Sequence, residues 1–476
     1  MVNTTTIASA IQKQFSYIPT PGQEKLIQRL SHFIHQDSGN QLFILKGYAG
    51  TGKTTIISAL VNVLPQFGMQ SVLLAPTGRA AKVLSSYSGH PAHTIHRKIY
   101  FMNTASDGRL RIVIQKNQYK NAVFIVDEAS MINDNYGQGQ DLFAGSRLLE
   151  DLFSYVRSGT QCKIIFVGDT AQLPPVGLSE SPALDRDYLT ASFQLNIETL
   201  ELTDVVRQAE DSGILYNATF IRNLIQQEHH KFPFFHLKDF PDIVSIQGQD
   251  LEDYLHTAYG NAGREGTLII CRSNKRANLF NNEVRNRIMG YDTEINAGDM
   301  LMCVRNNYFW LPEESKAGFL ANGDMMEILR IKKTMELYGH RFADIQVRLV
   351  DFPEEKELEI RIMLDTLTLD GPALPQKDQN AFFEEVMLDY MDLPQRAQRL
   401  QKIRENPFYN AVQVKFAYAL TCHKSQGGQW ENVFVEQGYL KDEMINQEYL
   451  RWLYTAVTRA SKKLHLVNFS EKFFGE

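Results

Sequence analysis

The octapeptide Gly47-Tyr48-Ala49-Gly50-Thr51-Gly52-Lys53-Thr54 stands between an apolar run, Gln41 to Leu45, and a helix-like run, Thr54 to Leu64, that Pro65 stops. Strand, glycine loop and helix in that order form a phosphate cradle. The glycines let successive backbone N–H groups turn inward around phosphate oxygens, and the helix N-terminus adds its positive dipole. Lys53 is placed to reach β and γ phosphates, and Thr54 to offer a hydroxyl to Mg²⁺. Such a loop belongs at the carboxyl end of a strand in a parallel α/β core, which rules out an all-helical or all-β chain.

Further strand ends carry polar chemistry. The candidates are Gln41 to Leu45, Ser71 to Ala75, Ala122 to Val126 and Lys163 to Val167, each running into polar or glycine-rich sequence. The third delivers Asp127 and Glu128, two adjacent carboxylates suited to different work: Asp127 on Mg²⁺ through water, Glu128 polarising an attacking water. An acidic pair after a strand is otherwise a helix N-cap. The fourth leads into Gly168-Asp169-Thr170-Ala171-Gln172-Leu173-Pro174-Pro175-Val176. There Gln172 can sense a terminal phosphate without adding charge, and the prolines stiffen the loop; a rigid surface turn is the alternative.

At 476 residues the chain exceeds one compact core, and length alone leads us to expect about three domains. Thr267 to Cys271, Val412 to Ala419, Asn432 to Glu436 and Lys463 to Val467 read as a second α/β core, split by an insertion. That insertion first reads as short strands with turns at Gly298-Asp299 and Asn322-Gly323-Asp324, then as charged helix through Asp378 to Glu405. The expected division is a first core over 1–195, a second over 196–284 with 411–476, and an inserted domain over 285–410. Cys162, Cys271, Cys303 and Cys422 lie far apart, so neither a disulfide framework nor a cysteine zinc site is expected. A polar, Thr-rich start and the lack of any long apolar run lead us to expect a cytoplasmic protein without membrane spans.

The net charge of −6 hides an uneven distribution. Between Ser38 and Val126, ten cations, among them Arg79, Lys82, Arg97 and Lys98, face the single acid Asp107, a net of +9. A basic face of this kind is what a nucleic-acid backbone requires.

Together these elements resemble a superfamily 1 helicase, and the wording Gly168-Asp169-x-x-Gln172-Leu173-Pro174-Pro175-Val176 resembles the RecD-like and Dda-like branch, superfamily 1B. Leu74-Ala75-Pro76-Thr77-Gly78-Arg79-Ala80-Ala81-Lys82 resembles motif Ia, and Thr94-Ile95-His96 resembles the segment next to it in the family. Val206-Arg207-Gln208 resembles motif IV, Thr421 to Gly427 motif V, Leu453 to Ala460 motif VI, and Thr20 to Gln23 the Q motif. The resemblance runs from about residue 20 to about residue 465. It implies an α/β fold of two RecA-like P-loop NTPase domains with ATP and Mg²⁺ in the cleft between them. Gln23 would read the adenine, with Gly47, Gly50, Thr51, Gly52, Lys53, Thr54, Thr55 and Gly427 around the nucleotide. Lys53, Glu128, Gln172, Arg207 and Arg459 would be catalytic, the two arginines reaching across as fingers; without the family they read as surface or ion-pair arginines.

The resemblance further implies single-stranded DNA held by Pro76, Thr77, Arg79, Lys82, Thr94, His96, Thr421, His423, Lys424 and Ser425. Ile99 to Gln118 reads as a β-hairpin turning at Ser106-Asp107-Gly108. In the family a hairpin here, the pin, splits the duplex, with Tyr100, Phe101 and Met102 against the last base pair; an edge hairpin covering the sheet is the alternative. An SH3-like subdomain is expected in the insertion, while the helical stretch from Pro375 to Asn406 exceeds such a module. The function implied is a monomeric ATP-dependent helicase moving 5′ to 3′ on a tailed duplex. Alternatives are a motor subunit of a recombination or repair nuclease complex, an RNA-stimulated NTPase, and a regulatory NTPase switch.

Overall fold

The structure is a computed structural model that describes residues 4–15, 18–36, 41–104, 110–134, 147–206, 211–227, 232–312, 315 and 317–474. Its first strands are β1 (Gln41–Gly47), β2 (Gln70–Ala75), β3 (Ala92–Thr94), β4 (Tyr100–Thr104), β5 (Leu110–Ile114), β6 (Ala122–Val126), β7 (Lys163–Gly168) and β8 (Asn196–Leu202). Six of them form a parallel sheet in the order β3-β2-β6-β7-β1-β8. The central strands are apolar without alternation because both faces are covered. Ile56 and Leu60 of the helix Lys53–Val63, with Leu26, Ile27 and Leu30 of the helix Pro21–His35, pack one face. Ile95, Ile99, Leu149 and Phe153 pack the other. Since all six strands run the same way, their carboxyl ends share one edge, and the polar loops collect there. β8 pairs with β1 along its whole length, from Gln41↔Asn196 to Gly47↔Leu202, so the first core extends through Leu202 rather than ending at 195.

The later strands are β9 (Ile243–Ile246), β10 (Thr267–Cys271), β11 (Met300–Cys303), β12 (Met325–Leu337), β13 (His340–Leu349), β14 (Leu358–Met363), β15 (Val412–Phe416), β16 (Ala419–Thr421), β17 (Trp430–Glu436) and β18 (Ala460–Val467). The second core is a parallel sheet ordered β16-β10-β17-β18-β9. β11 to β15 close into a barrel in which only the β14–β15 pair is parallel. The expected strand Val412 to Ala419 is therefore two: Val412–Phe416 completes the barrel, and Ala419–Thr421 joins the second sheet. Hydrophobic period alone cannot separate them, because both halves are buried.

The barrel is fused to the second core. Leu268 and Ile270 of the sheet share one apolar cluster with Leu301, Val347 and Phe416 of the barrel. At the junction Arg285 makes a bidentate pair with buried Asp299, at 2.8 and 2.9 Å, and the Tyr418 hydroxyl donates to the same carboxylate at 3.0 Å. The charged stretch after the barrel folds as two helices, Gln376–Leu388 and Arg396–Glu405, whose Phe382, Val386 and Ile403 cover Phe342 and Met363. It buttresses the barrel. The four cysteines are unpaired, three of them buried, and no helix among the described residues is long and apolar enough to cross a membrane.

Candidate nucleotide cleft and strand interface

The phosphate loop joins β1 to the helix Lys53–Val63. Gly50 and Gly52 stand at φ 75° and 82°, the left-handed region that costs glycine nothing. At Gly52 space demands glycine as well: a Cβ would lie 2.3 Å from the Gln23 amide nitrogen. Lys53 donates to the Gly47 and Tyr48 carbonyls at 2.7 and 2.8 Å, so its ammonium lies inside the loop. Thr54 and Thr55 open toward the cleft, whereas Thr51 is buried with its hydroxyl donating to Tyr48 O at 2.8 Å.

Gln23 is buried and fully engaged. Thr20 N–H donates to its Oε1 and its own N–H donates to Thr20 Oγ1, a capping box that starts the helix Pro21–His35. Its Nε2 donates to Thr51 O at 3.1 Å. At the other end of that helix the buried Lys163 ammonium donates to Phe33 O at 2.8 Å, a cation on helix carbonyls. Gln23 thus ties the helix to the phosphate loop.

β6 ends on Asp127 and Glu128. Asp127 Oδ1 accepts from Glu128 N–H at 2.9 Å, and Oδ2 accepts from the Tyr87 hydroxyl. Glu128 takes φ 52°, an uncommon conformation for a side chain of this size, and turns into the cleft. Burial pushes its carboxyl up to about 7; Asp127 and Asp169 push the same way, while Arg459 and Lys53 pull it down. β7 ends before Asp169 and Gln172; the buried Gln172 Oε1 accepts from no donor among the described residues. Thr54 and Asp127 present hard oxygen donors on one wall, a set that fits Mg²⁺. The loop N–H groups and Lys53 fit a triphosphate, while the unpartnered Gln172 oxygen, an acceptor, fits a donor such as a water beside it.

The opposite wall comes from the second core. Lys53, Thr54, Thr55, Asp127, Glu128 and Gln172 line a cleft of about 570 Å³ together with Gly427, Gly428, Thr458 and Arg459. Arg459 is buried; it donates to Thr455 O at 3.0 Å and Gly428 O at 3.2 Å, and it is the strongest charge pulling on Glu128. Gly427 brings this wall close, since a Cβ there would lie 2.7 Å from Ala80 Cβ of the first core. Arg207 lies outside the described residues; Val206 N–H donates to Gly50 O at 3.0 Å.

The expected strand-binding residues divide. Thr77 caps the helix Gly78–Ser88, and Phe101 is 44% exposed on the hairpin β4–β5, opposite the exposed Val113. Tyr100, expected as a stacking platform, is 8% exposed and donates to Asp151 at 2.6 Å; its ring belongs to the apolar cluster of the first sheet. The hairpin turn at 106–108 lies outside the described residues. Thr94 and Ser425 are buried, their hydroxyls on Arg97 N–H and Cys422 O, and burial lowers His96 to about 4.

Three of the cations expected to form an open face, Arg79, Lys82 and Arg97, are instead paired beneath the barrel. Asp351 takes Arg79 at 3.1 Å and Lys82 at 3.7 Å, and Asp324 takes Arg97 at 2.7 Å under the ring of Phe352. Lys424 donates to Asn322. Burial pushes Asp324 up to about 6 against the pull of Arg97. Sequence reading saw Asn322-Gly323-Asp324 only as a turn and did not use Asp351, because nothing local marks a carboxylate that will meet an arginine more than two hundred residues away. Tyr87 and Tyr454 were likewise missed; for Tyr454, in the run Trp452 to Val457, the signal available was that a tyrosine in an apolar run needs a partner for its hydroxyl.

A parallel core with a phosphate loop, faced across a cleft by a second parallel core that supplies an arginine, defines a two-domain P-loop nucleotide-binding protein. Residues 20–223 match the AAA domain family model and residues 416–467 the UvrD-like helicase C-terminal domain. The chain is 29% identical over 201 residues to the ATP-dependent RecD2 DNA helicase of Deinococcus radiodurans, a match covering 42% of this chain and 24% of that protein. It is 27% identical over 267 residues to the ATP-dependent DNA helicase dda of phage T4, covering 54% and 55%. The chain thus matches a quarter to about half the length of these relatives. A Bacteroides Pif1 helicase crystallised with ADP-AlF3 and ssDNA aligns over 97% of this chain and 95% of its own, at 15% identity and a TM-score of 0.47. The chain thus pairs an AAA domain with a UvrD-like helicase C-terminal domain and is similar to superfamily 1B helicases.

Proposed function

We propose that this protein is an ATP-driven DNA helicase that moves 5′ to 3′ on a single strand and separates the duplex ahead of it. The observation that carries the reading is one cleft lined by Lys53, Thr54, Asp127, Glu128 and Gln172 of the first core and by Gly427 and Arg459 of the second.

In this reading ATP lays its triphosphate along the N–H groups of the loop from Gly50 to Thr54, with Lys53 on the β and γ phosphates. A magnesium ion held through Thr54 and Asp127 would neutralise charge on those phosphates. Glu128 accepts the proton of the attacking water, and Gln172 contacts the terminal phosphate. Arg459, with Arg207, stabilises the charge of the transition state only when the cores are closed, which ties hydrolysis to domain motion. Gln23 holds the phosphate loop in place through Thr51 O. Across the cores, Pro76, Thr77, Thr421 and His423 hold the strand backbone without sequence preference, and Arg79, Lys82 and Lys424 join them when the barrel yields. Alternate opening and closing moves the strand.

The test uses the purified chain. ATP hydrolysis is measured with and without single-stranded DNA or RNA, then unwinding of 5′-tailed and 3′-tailed duplexes. Expected are stimulation by DNA, unwinding of the 5′-tailed duplex, and loss of both in Lys53→Ala. Absence of stimulation would refute the motor, stronger stimulation by RNA the substrate, and preference for the 3′ tail the polarity.

A further inference from the structure

The helix Gln447–Val457 of the second core sends Tyr454 across to the first core without lining the cleft. Tyr454 is 1% exposed, and its hydroxyl has a partner on each side: it accepts from Ala49 N–H of the phosphate loop at 2.9 Å and donates to Asp169 Oδ2 at 2.7 Å. Asp169 Oδ1 accepts from Ala171 N–H at 2.9 Å. The next residue, Thr455, accepts from Leu173 N–H at 2.9 Å. The segment Asp169–Leu173, which carries Gln172, is therefore held at both ends by successive residues of one helix. From the strand-binding segment Thr421–Gly427, Gln426 donates to Leu173 O at 2.7 Å. The same helix leads two residues on to Arg459, whose guanidinium donates back to Thr455 O.

We infer that the Tyr454 hydroxyl is a positioning group that couples occupancy of the phosphate loop to strand affinity. It touches neither the cleft nor the strand. A phosphate that draws the loop N–H groups inward moves Ala49, and a contact to Gln172 moves the segment between Asp169 and Leu173. The displacements reach the second core through this hydroxyl, its neighbour Thr455 and Gln426, the last of which leads on to the strand-binding segment. A buried hydroxyl with donor and acceptor both used has two discrete arrangements, bonded or broken, which is the property a coupling element needs.

The inference rests on the motor reading, and the experiment separates the two. Affinity for a labelled single-stranded oligonucleotide is measured with and without a non-hydrolysable ATP analogue and Mg²⁺, for wild type and Tyr454→Phe, which keeps the buried ring. The wild type should show a nucleotide-dependent ratio on the order of ten. Tyr454→Phe should bring the ratio to within about two-fold of one. A merely structural tyrosine would shift both affinities together and leave the ratio unchanged, which overturns the inference. A wild-type ratio of one overturns the motor reading and this inference with it. Should Tyr454→Phe fail to fold, Thr455→Val, which removes the acceptor of Leu173 N–H together with the hydroxyl's own bond to Arg451 O, carries the same expectation and the same refutation.

Discussion

Glu128 sits where an aspartate or glutamate is costly to ionise, and that cost sets a pH dependence. Its carboxyl is raised from 4.5 to about 7 by burial, with Arg459 and Lys53 only partly offsetting the effect. A general base works deprotonated, so kcat/KM for ATP should rise with pH up to about 7 and level above it, since this profile reports the free enzyme. Glu128→Gln should lose about 10²- to 10³-fold in turnover, and what remains should lack that acidic limb. A limb near pH 4 to 5 in the wild type, or its survival in Glu128→Gln, would assign the base elsewhere. Asp127 and Glu128 could be placed at a strand end from sequence, because an apolar run followed by two acids leaves few alternatives. The raised carboxyl could not, because it comes from burial in a cleft that exists only once the folded cores face each other.

At the level of elements, the hairpin β4–β5 shows how far alternation carries. Its existence and register were legible, since Leu110, Ile112 and Ile114 repeat every second residue behind a turn. Which aromatic faces outward was not: Tyr100 is drawn inward by Asp151, leaving the cross-strand pair Phe101 and Val113 as the exposed apolar surface. If that face meets the end of the duplex, Phe101→Ala should lower unwinding about ten-fold, the loss of a stacked base contact of ~1–3 kcal/mol, and leave strand-stimulated ATP hydrolysis within about two-fold. Equal losses in both measurements would show instead that the hairpin only covers the sheet. The strand Val412 to Ala419 illustrates the converse limit. One apolar run serves two sheets, and only the barrel partners Leu301 to Cys303 divide it.

At the level of the whole molecule, three of the cations that made the N-terminal region look like an open basic face, Arg79, Lys82 and Arg97, are neutralised internally. Asp351 holds Arg79 and Lys82, and Asp324 holds Arg97, so the barrel lies on the first core through carboxylates placed where strand phosphates are expected. Strand and barrel then compete for the same cations. Asp351→Ala should tighten single-strand binding by up to about five-fold at low salt, the worth of an ion pair near ~1 kcal/mol. Titration of a labelled oligonucleotide checks it; unchanged or weaker binding would mean that Arg79 and Lys82 serve only to seat the barrel.

Local order determined the inventory of residues proposed as catalytic. A glycine loop, an acidic pair and a polar loop each follow an apolar run, and in parallel sheets the ends of such runs share an edge, so Lys53, Asp127, Glu128 and Gln172 could be assigned to one site from the chain alone. Tertiary structure decided everything that depends on two distant segments meeting: Arg459 against Glu128, Tyr454 between Ala49 and Asp169, and the barrel acids on Arg79 and Arg97. The physical reason is range. Turn chemistry and hydrophobic period act over a few residues, whereas a charge or a buried hydroxyl takes its meaning from whichever partner the folded chain brings within hydrogen-bonding distance.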